Sequence, residues 1–281
     1  MKPRRLHTTL IEDKALWRLD DGQLAFVKIA ASNSRNYVND LRNKYNVEKT
    51  CLEVLKGLAV PKILDFDPTQ TPQFKEQKNI FCLAQSFAGK HAAHGLNLTI
   101  DELVGVWIFL VEQMAAFRRH QILYTDLKCH NIMGRTNPLQ VTIVDFDYGS
   151  PLISGQKHLE RYGYTPGNQA PEIERGEKPT EQTLVFESGL LLFHFLTDQK
   201  QEMLKHPKYG LSHAVSIMKR LRVDDLIPLL VSCLEEQPHK RPLHYEEILE
   251  VIKATKLPPQ IRKTWEQLKS PYIDRLAEVS L

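Results

Sequence analysis

Apolar and polar positions alternate in short runs up to residue 88, which is the pattern of β-strands. The predicted strands cover residues 7–11, 15–19, 23–30, 63–66 and 79–87. Asp20-Asp21-Gly22 is a tight-turn signal between the second and third of them. Residues 36–57 instead carry apolar side chains at helical spacing and end at Gly57. This part of the chain therefore predicts a small sheet with one main helix.

From Leu98 onward the pattern becomes helical. Thr99 and Glu102 fit a capping box, which predicts a helix from there to about Arg119. Further helices are predicted at 180–197, 212–221, 224–235, 244–255 and, after two prolines, 260–279. The predicted fold class is therefore α+β. The predicted units are a sheet-rich lobe at 1–88, a helical lobe at 89–257 and a helical extension at 258–281.

Composition narrows the function classes without choosing one. The chain has 281 residues, 25% charged and 42% hydrophobic, with a net charge of +3. Lys and Arg are scattered, so neither a nucleic-acid nor a membrane partner is expected. The four cysteines are far apart in sequence and predict neither a zinc site nor a disulfide framework. The N-terminus lacks the apolar stretch of a signal peptide, so a cytoplasmic protein is expected.

The stretch from Tyr124 to Asp147 carries the clearest chemistry. Asp126, Lys128, Asn131 and Asp145 stand at the ends of two short apolar runs. One carboxylate can orient a hydroxyl, an amide and a second carboxylate can hold Mg²⁺, and a lysine can neutralise a phosphate. Such spacing also occurs in ordinary surface loops. Here it follows an apolar helix and precedes a predicted strand at 141–144, which favours a functional site.

Together with motifs elsewhere, this stretch resembles the catalytic and metal-binding loops of eukaryotic-type protein kinases. Ala25-Phe-Val-Lys28 is similar to the Val-Ala-x-Lys strand of that family. Residues 163–172 resemble the segment that ends in Ala-Pro-Glu, and 233–242 resemble the Asp-Pro-x-x-Arg-Pro element. The resemblance covers about residues 6–255 and implies a two-lobed fold, with a small sheet-bearing lobe before a larger helical one.

The resemblance implies MgATP as cofactor and assigns roles to matching residues. Lys28 would grip the α- and β-phosphates, paired with Glu48, with Glu53 as the second candidate. Asp126 would orient the substrate hydroxyl, and Lys128 is typical of Ser/Thr-directed members. Asn131 and Asp145 would bind the metal. The remaining residues implied to line the adenine pocket are Phe26, Ala84, Gln85, Phe87 and Met133, with Ala84 at its back and the backbone of Gln85 and Phe87 hydrogen-bonding the base.

The two remote motifs imply a protein substrate rather than a small molecule. Thr165 and Asn168 lie in the segment that would dock the substrate. Glu172 and Arg241 would form a buried ion pair. Small-molecule kinases with a similar catalytic loop generally lack both motifs. The oligomeric state is left open.

The chain departs from the family pattern near the phosphates. Residues 6–21 contain no glycine, so the glycine-rich phosphate loop is missing and Glu12, Asp13 and Lys14 are predicted to close the first hairpin. Phe26 replaces a small alanine. Thr125 stands where an arginine usually precedes the catalytic aspartate. Two further replacements are Asp147 for the glycine of Asp-Phe-Gly and Leu184 for an aspartate that braces the catalytic loop.

Three functions are therefore considered. The first is an active Ser/Thr kinase, favoured because Lys28, Glu48, Asp126, Asn131 and Asp145 are all present. The second is a non-catalytic scaffold that binds partners, favoured by the missing glycines. The third is a kinase fold with other chemistry, such as nucleotidyl transfer or phosphorylation of a small molecule.

Overall fold

The computed structural model describes residues 4–8, 14–31, 35–70, 74, 80–152, 158–163, 165, 169–197 and 207–277. An antiparallel five-stranded sheet opens the fold, in the order β1-β2-β3-β5-β4. Its strands are β1 (Arg4–Thr8), β2 (Lys14–Arg18), β3 (Leu24–Ala31), β4 (Ile63–Leu64) and β5 (Ile80–Ser86). Helix α1 (Arg35–Val54) packs on β3 and β5. This is the predicted combination of five strands and one main helix.

Strand register decides which side chains face the cleft below the sheet. Lys28 on β3 lies opposite Leu83 on β5, and Phe26 lies opposite Gln85. Because side chains alternate along a strand, these four share one face. Tyr45 of α1 packs with Leu83 on that face. The opposite face carries its own apolar cluster, whose buried members are Ala15, Trp17, Ala25, Val27, Ile29 and Ala84.

A second group of elements carries the predicted catalytic segment. In chain order these are β6 (Lys90–His91), α2 (Ala92–Gly95), α3 (Ile100–Arg119), β7 (Ile122–Leu123), β8 (Ile132–Thr136), β9 (Leu139–Ile143) and β10 (Ser150–Pro151). Thr99 caps α3 as predicted: its Oγ1 accepts from the Glu102 N–H at 3.3 Å, and Oε2 of Glu102 accepts from the Thr99 N–H at 2.8 Å. Strand β8, which the hydrophobic pattern did not predict, pairs with both β6 and β9.

Helices form the rest of the larger lobe around α3. They are α4 (Pro171–Glu174), α5 (Glu181–Thr197), α6 (Pro207–Arg220), α7 (Ile227–Cys233) and α8 (Tyr245–Ala254). Helix α3 is buried along most of its length, because α5 and α8 pack against it. The fold is thus α+β, with a small sheet-bearing lobe and a larger helical lobe, as predicted. Within the described residues, none of the helices has the length and apolarity needed to span a bilayer.

The C-terminal segment forms two helices rather than the one predicted at 260–279. Helices α9 (Pro259–Lys269) and α10 (Ile273–Ala277) are separated by a 3₁₀ turn at Ser270–Tyr272. Pro271 in that turn has no N–H to continue the helical ladder. Helix α9 packs on α3, where a Cβ added to Gly105 would lie 2.7 Å from the Cβ of Thr264. The segment therefore packs on the larger lobe.

Other boundaries differ by a few residues. Strand β1 begins at Arg4 rather than residue 7, and residues 9–13 lie outside the described part of the chain. Helix α6 begins at Pro207, five positions earlier than predicted, because proline is tolerated at the first helical position. The predicted helix at 224–235 starts with a 3₁₀ turn at Asp224–Leu226 and ends at Cys233.

Candidate active site

Lys28 joins the two lobes through carboxylates that are distant in sequence. Its Nζ lies 2.6 Å from Oε2 of Glu48 on α1 and 2.6 Å from Oδ1 of Asp145, which follows β9. Lys28 and Glu48 are buried, with 2% and 0% exposed. Glu53, the other candidate partner, is exposed and pairs with Lys49 at 3.8 Å instead. Helix α1 therefore presents Glu48, not Glu53, to the cleft.

Lys28 and Asp145 hold each other ionised. Burial alone would lower the pKa of Lys28, but the Glu48 and Asp145 carboxylates outweigh burial and raise it above its ordinary value. Burial would likewise raise the pKa of Asp145, yet Lys28 and then Lys14 lower it to about 2. Lys14 adds its charge from β2, with Nζ 3.8 Å from Oδ1 of Asp145. Two ammonium groups, those of Lys28 and Lys14, thus lie beside the carboxylate of Asp145.

Asp145 adopts a strained backbone conformation. Its φ is +69°, in the left-handed region that residues other than glycine seldom occupy. Such conformations cost of order 1–3 kcal/mol and cluster at functional sites. Here the conformation accompanies a side chain that reaches Lys28 on the other lobe.

A second polar cluster surrounds Asp126 in the loop between β7 and β8. Lys128 Nζ donates to Oδ2 of Asp126 at 2.6 Å, and Asn131 Nδ2 donates to the same oxygen at 2.9 Å. Thr165 donates its hydroxyl to Oδ1 of Asp126 at 3.0 Å and accepts from Lys128 at 2.8 Å. The carboxylate of Asp126 is thus shown to hold a hydroxyl within hydrogen-bond reach, with an ammonium beside it.

The donor atoms of Asn131 and Asp145 suit a magnesium ion. The amide nitrogen of Asn131 donates to the backbone carbonyl and to Oδ2 of Asp126, so the amide of Asn131 has a fixed orientation. Magnesium is usually held by one or two protein oxygens together with phosphates and water. Asp147 adds a second carboxyl close to that of Asp145, and burial followed by the charge of Asp145 raises the pKa of Asp147 to about 6. The residues present therefore fit the metal.

Four of these residues, Lys14, Lys28, Asn131 and Asp145, line a cavity of about 530 Å³ between the lobes. Its lining residues are Lys14, Leu16, Phe26, Lys28, Pro61, Gln85, Ser86, Phe87, Ala88, His91, His130, Asn131, Met133, Val144 and Asp145. The lining combines the charged groups of Lys14, Lys28 and Asp145 with apolar side chains such as those of Leu16, Phe26 and Met133. A cavity of this size and make-up is typical of a small-molecule or cofactor site.

Two pocket residues are placed differently from the prediction. Ala84 was expected at the back of the adenine pocket, but it lies opposite Val27 and packs in the cluster on the far face of the sheet. Gln85, one residue on, faces the cleft instead. The Phe87 N–H donates to the carbonyl of Leu24 at 3.1 Å, and the Phe87 carbonyl accepts from Arg135. The hydrogen bond expected from the Phe87 N–H to a base does not fit this arrangement, because that N–H already donates to Leu24.

Glu172 and Arg241 form a buried bidentate pair remote from the cleft. The two nitrogens of the Arg241 guanidinium lie 2.7 and 2.8 Å from the two carboxylate oxygens of Glu172. Thr183 donates a further hydrogen bond to Glu172 at 2.9 Å, and the guanidinium packs 4.8 Å from the ring centre of Phe186. The pair joins the segment before α5 to the loop before α8.

A hydrogen-bonded pair of Tyr162 and Glu187 beneath the catalytic loop was not predicted. Glu187 on α5 is 3% exposed and accepts a hydrogen bond from the Tyr162 hydroxyl. Burial raises the pKa of Glu187 well above its ordinary value. The next residue, Gly163, donates to the Thr125 carbonyl at 3.1 Å, and an added Cβ there would lie 2.6 Å from the Cβ of Asp126. One usable signal was a glutamate within the apolar run of α5, since unpaired carboxylates are rarely buried.

Some predicted positions lie outside the described residues. Asn168, expected in the substrate-docking segment, is one of them, as are Glu12 and Asp13 of the first hairpin. Leu184, at the position of the usual bracing aspartate, is a buried core residue whose backbone carbonyl accepts from Tyr245.

This two-lobed fold, with a lysine–glutamate pair above and an Asp126 cluster below, is the architecture of a protein kinase domain. The family model for the protein kinase domain matches residues 18–255. The chain therefore belongs to the protein kinase domain family.

Curated relatives match part of the chain at low identity. A mouse leucine-rich repeat serine/threonine-protein kinase 1 is 26% identical over 139 residues, 46% of this chain and 7% of that protein. A probable serine/threonine-protein kinase drkB of Dictyostelium discoideum is 30% identical over 47% of this chain and 19% of its own length. Human rhodopsin kinase GRK1 is 23% identical over 72% of this chain and 32% of its own length. The chain thus spans a third or less of each of these relatives.

Proposed function

We propose that this protein is an ATP-dependent protein kinase that transfers the γ-phosphoryl group of MgATP to a serine or threonine hydroxyl. The observation that carries the proposal is Lys28, bonded at 2.6 Å to both Glu48 and Asp145 at the edge of the cavity between the lobes. A fixed ammonium beside a carboxylate suits a triphosphate with its metal. Membership of the protein kinase family supports the same conclusion.

Other residues of the chain would act on the acceptor hydroxyl and on the transferred phosphoryl group. Asp126 accepts a hydrogen bond from the incoming hydroxyl, as it does from Thr165 in this structure. The hydroxyl oxygen forms a bond to the γ-phosphorus while the bond from that phosphorus to the β-bridging oxygen breaks, and Asp126 receives the proton. Lys128 lies beside both groups, where its charge stabilises the transferring phosphoryl group. Magnesium bound by Asn131 and Asp145 would neutralise phosphate charge.

Serine or threonine is proposed as acceptor because of Lys128 and Thr165. Lys128 resembles the lysine of Ser/Thr-directed kinases, and it contacts an aliphatic hydroxyl here at 2.8 Å. The printed names of the mouse and Dictyostelium relatives describe serine/threonine-protein kinases. A cytoplasmic location and the lack of a nucleic-acid or membrane partner stay predictions from the sequence.

A non-catalytic, nucleotide-binding scaffold is the second candidate. It is favoured by Phe26, whose side chain lines the cavity where the family has a small alanine, and by the absence of glycine from residues 6–21. Both features alter the residues that would cover a bound nucleotide. Neither removes a side chain from the cluster around Lys28 or from the cluster around Asp126.

Transfer of isotopic label separates the candidates. The purified protein is incubated with Mg²⁺, unstructured protein substrates, and ATP labelled at the γ- or the α-phosphate. The proposal predicts protein-bound label from γ-labelled ATP only, lost in Asp126→Ala and Asp145→Ala and retained in Asp225→Ala, a change at an exposed aspartate. Label from the α-phosphate would instead indicate nucleotidyl transfer. No label from either, with ATP bound, would support the scaffold.

A further inference from the structure

Gln85 carries a buried side-chain amide whose nitrogen contributes no hydrogen bond to the fold among the described residues. It is 2% exposed and lines the cavity between the lobes. Within the described part of the chain, its Nε2 has no hydrogen-bond partner. Apolar side chains share this lining, among them Leu16, Pro61 and Met133. The protein therefore keeps an unsatisfied polar group in an otherwise apolar part of the cleft.

An amide in this setting destabilises the folded protein. A buried donor that makes no hydrogen bond retains the full penalty of its lost hydration, whereas an apolar side chain of the same length does not. Such exceptions in native structures call for a specific explanation. A ligand that pairs with the amide would remove the penalty, and the position of Gln85 within the cavity points to such a ligand.

The position of Gln85 relative to Lys28 indicates which part of the ligand it meets. Gln85 lies opposite Phe26 in the pairing of β3 with β5, and Lys28 is two residues further along β3 on the same face. Since Lys28 and Asp145 form the charged part of the cavity, the phosphates belong there. The uncharged base then lies beside Phe26, whose ring can pack against a heteroaromatic face.

We infer that Gln85 recognises the edge of adenine that carries the N6 amino group and N7, and so selects ATP over other nucleotides. This inference rests on the proposed function. A glutamine amide places an acceptor beside a donor, and adenine presents the complementary donor at N6 beside the acceptor N7. Guanine presents two acceptors on that edge, so the amide oxygen would face a second oxygen. One residue thus both accepts and donates to a single base edge.

The test compares nucleotide analogues by calorimetry in the presence of Mg²⁺. The ligands are ATP, 7-deaza-ATP, which carries C–H in place of N7, and purine riboside triphosphate, which lacks the N6 amino group. The proteins are the wild type, Gln85→Met, and Gln140→Met as a matched change at an exposed glutamine of β9. Methionine keeps the length of the side chain and removes both hydrogen-bonding atoms.

We expect the wild type and Gln140→Met to bind 7-deaza-ATP about fivefold more weakly than ATP, the effect of one hydrogen bond. Gln85→Met should bind both about equally, and ATP more weakly than the wild type does. Purine riboside triphosphate should show the same dependence on residue 85. In the ligand-free protein, Gln85→Met should raise the midpoint of thermal unfolding, because it removes the unsatisfied amide.

Three results would overturn the inference, and they distinguish its failure from that of the proposed function. If the wild type binds ATP and 7-deaza-ATP equally, or if Gln85→Met discriminates between them as the wild type does, Gln85 does not read this edge and the proposed function stands. If the wild type binds no nucleotide at all, the proposed function fails and the inference fails with it.

Discussion

Lys28 and Asp145 are 117 positions apart in sequence, yet Nζ of one lies 2.6 Å from Oδ1 of the other. The contact joins the central strand of the small lobe to the segment after β9 in the larger lobe. Glu48 holds the same ammonium from α1. This three-residue arrangement depends on the positions of both lobes and of α1 together, so small shifts of any of them change the cleft.

Removing the charge of Glu48 tests this arrangement. In Glu48→Gln, Lys28 keeps one carboxylate and loses a fully buried partner, which typically costs about 3 kcal/mol of stability. We also expect MgATP binding to weaken about tenfold, which corresponds to about 1.4 kcal/mol. Urea unfolding and calorimetry measure the two effects. Glu53→Gln is the matched control, because Glu53 is exposed and five positions further along the chain; equal effects of the two variants would contradict the assignment.

The Glu172–Arg241 pair is predicted to support the fold and not the chemistry. Arg241→Met leaves the carboxylate of Glu172 buried without its main partner, so the free energy of unfolding should fall by about 3–5 kcal/mol. Arg175→Met, which removes an exposed guanidinium paired with Glu177, should change it by less than about 1 kcal/mol. Urea denaturation measures both. A loss in Arg241→Met as small as that in Arg175→Met would refute the structural role.

Tyr162 is predicted to position the catalytic loop. Tyr162→Phe removes the hydrogen bond to Glu187 beneath that loop, next to the close contact of Gly163 with Asp126. We expect turnover to fall about tenfold with little change in the KM for ATP, since the loss is confined to the transition state. Tyr245→Phe removes a comparable buried hydrogen bond to the Leu184 carbonyl. It should lower stability by about 1 kcal/mol without changing turnover. Steady-state kinetics of the two variants test whether Tyr162 positions the catalytic loop.

His194 on α5 should make the protein less stable in acid. Burial lowers the pKa of His194 from 6.5 to about 4. Between these values the unfolded chain binds a proton that the folded protein does not, so the free energy of unfolding falls as pH falls, by about 3 kcal/mol in total. His194→Gln should flatten this part of the stability profile. His239→Gln, at an exposed histidine, should leave the slope unchanged. Urea midpoints measured between pH 6.5 and 4 would show whether the slope belongs to His194.

The features that were predicted correctly from the sequence are those that depend on the spacing of nearby residues. The capping box of Thr99 and Glu102 forms as predicted, because both partners lie within one helical turn. Glu48 rather than Glu53 contacts Lys28, as the resemblance implied, because Glu48 lies on the buried face of α1 and Glu53 is exposed. The period of the hydrophobic pattern in each half of the chain predicted the five strands and the main helix. It also predicted that the sheet-bearing lobe precedes the helical lobe.

Register and long-range contacts could not be predicted in the same way. Residues 80–86 of β5 do not alternate strictly between apolar and polar, so the pattern could not decide whether Ala84 or Gln85 faces the cleft, and a shift by one residue reverses the faces. The Tyr162–Glu187 pair spans 25 positions and depends on how the segment before α4 lies on α5. The break at Ser270–Tyr272 was signalled by Pro271, but the amphipathic pattern on both sides of it predicted one continuous helix.

The central claim is that the groove bounded by Lys28 and Asp145 binds MgATP. Calorimetric titration of the purified protein with MgATP tests it most directly, beside Lys28→Met, Asp145→Asn and the exposed control Lys219→Met. The claim predicts one nucleotide bound per chain in the wild type and the control, with binding weakened at least about tenfold in the other two variants. No heat of binding at millimolar MgATP, or equal affinity in all four proteins, would contradict it.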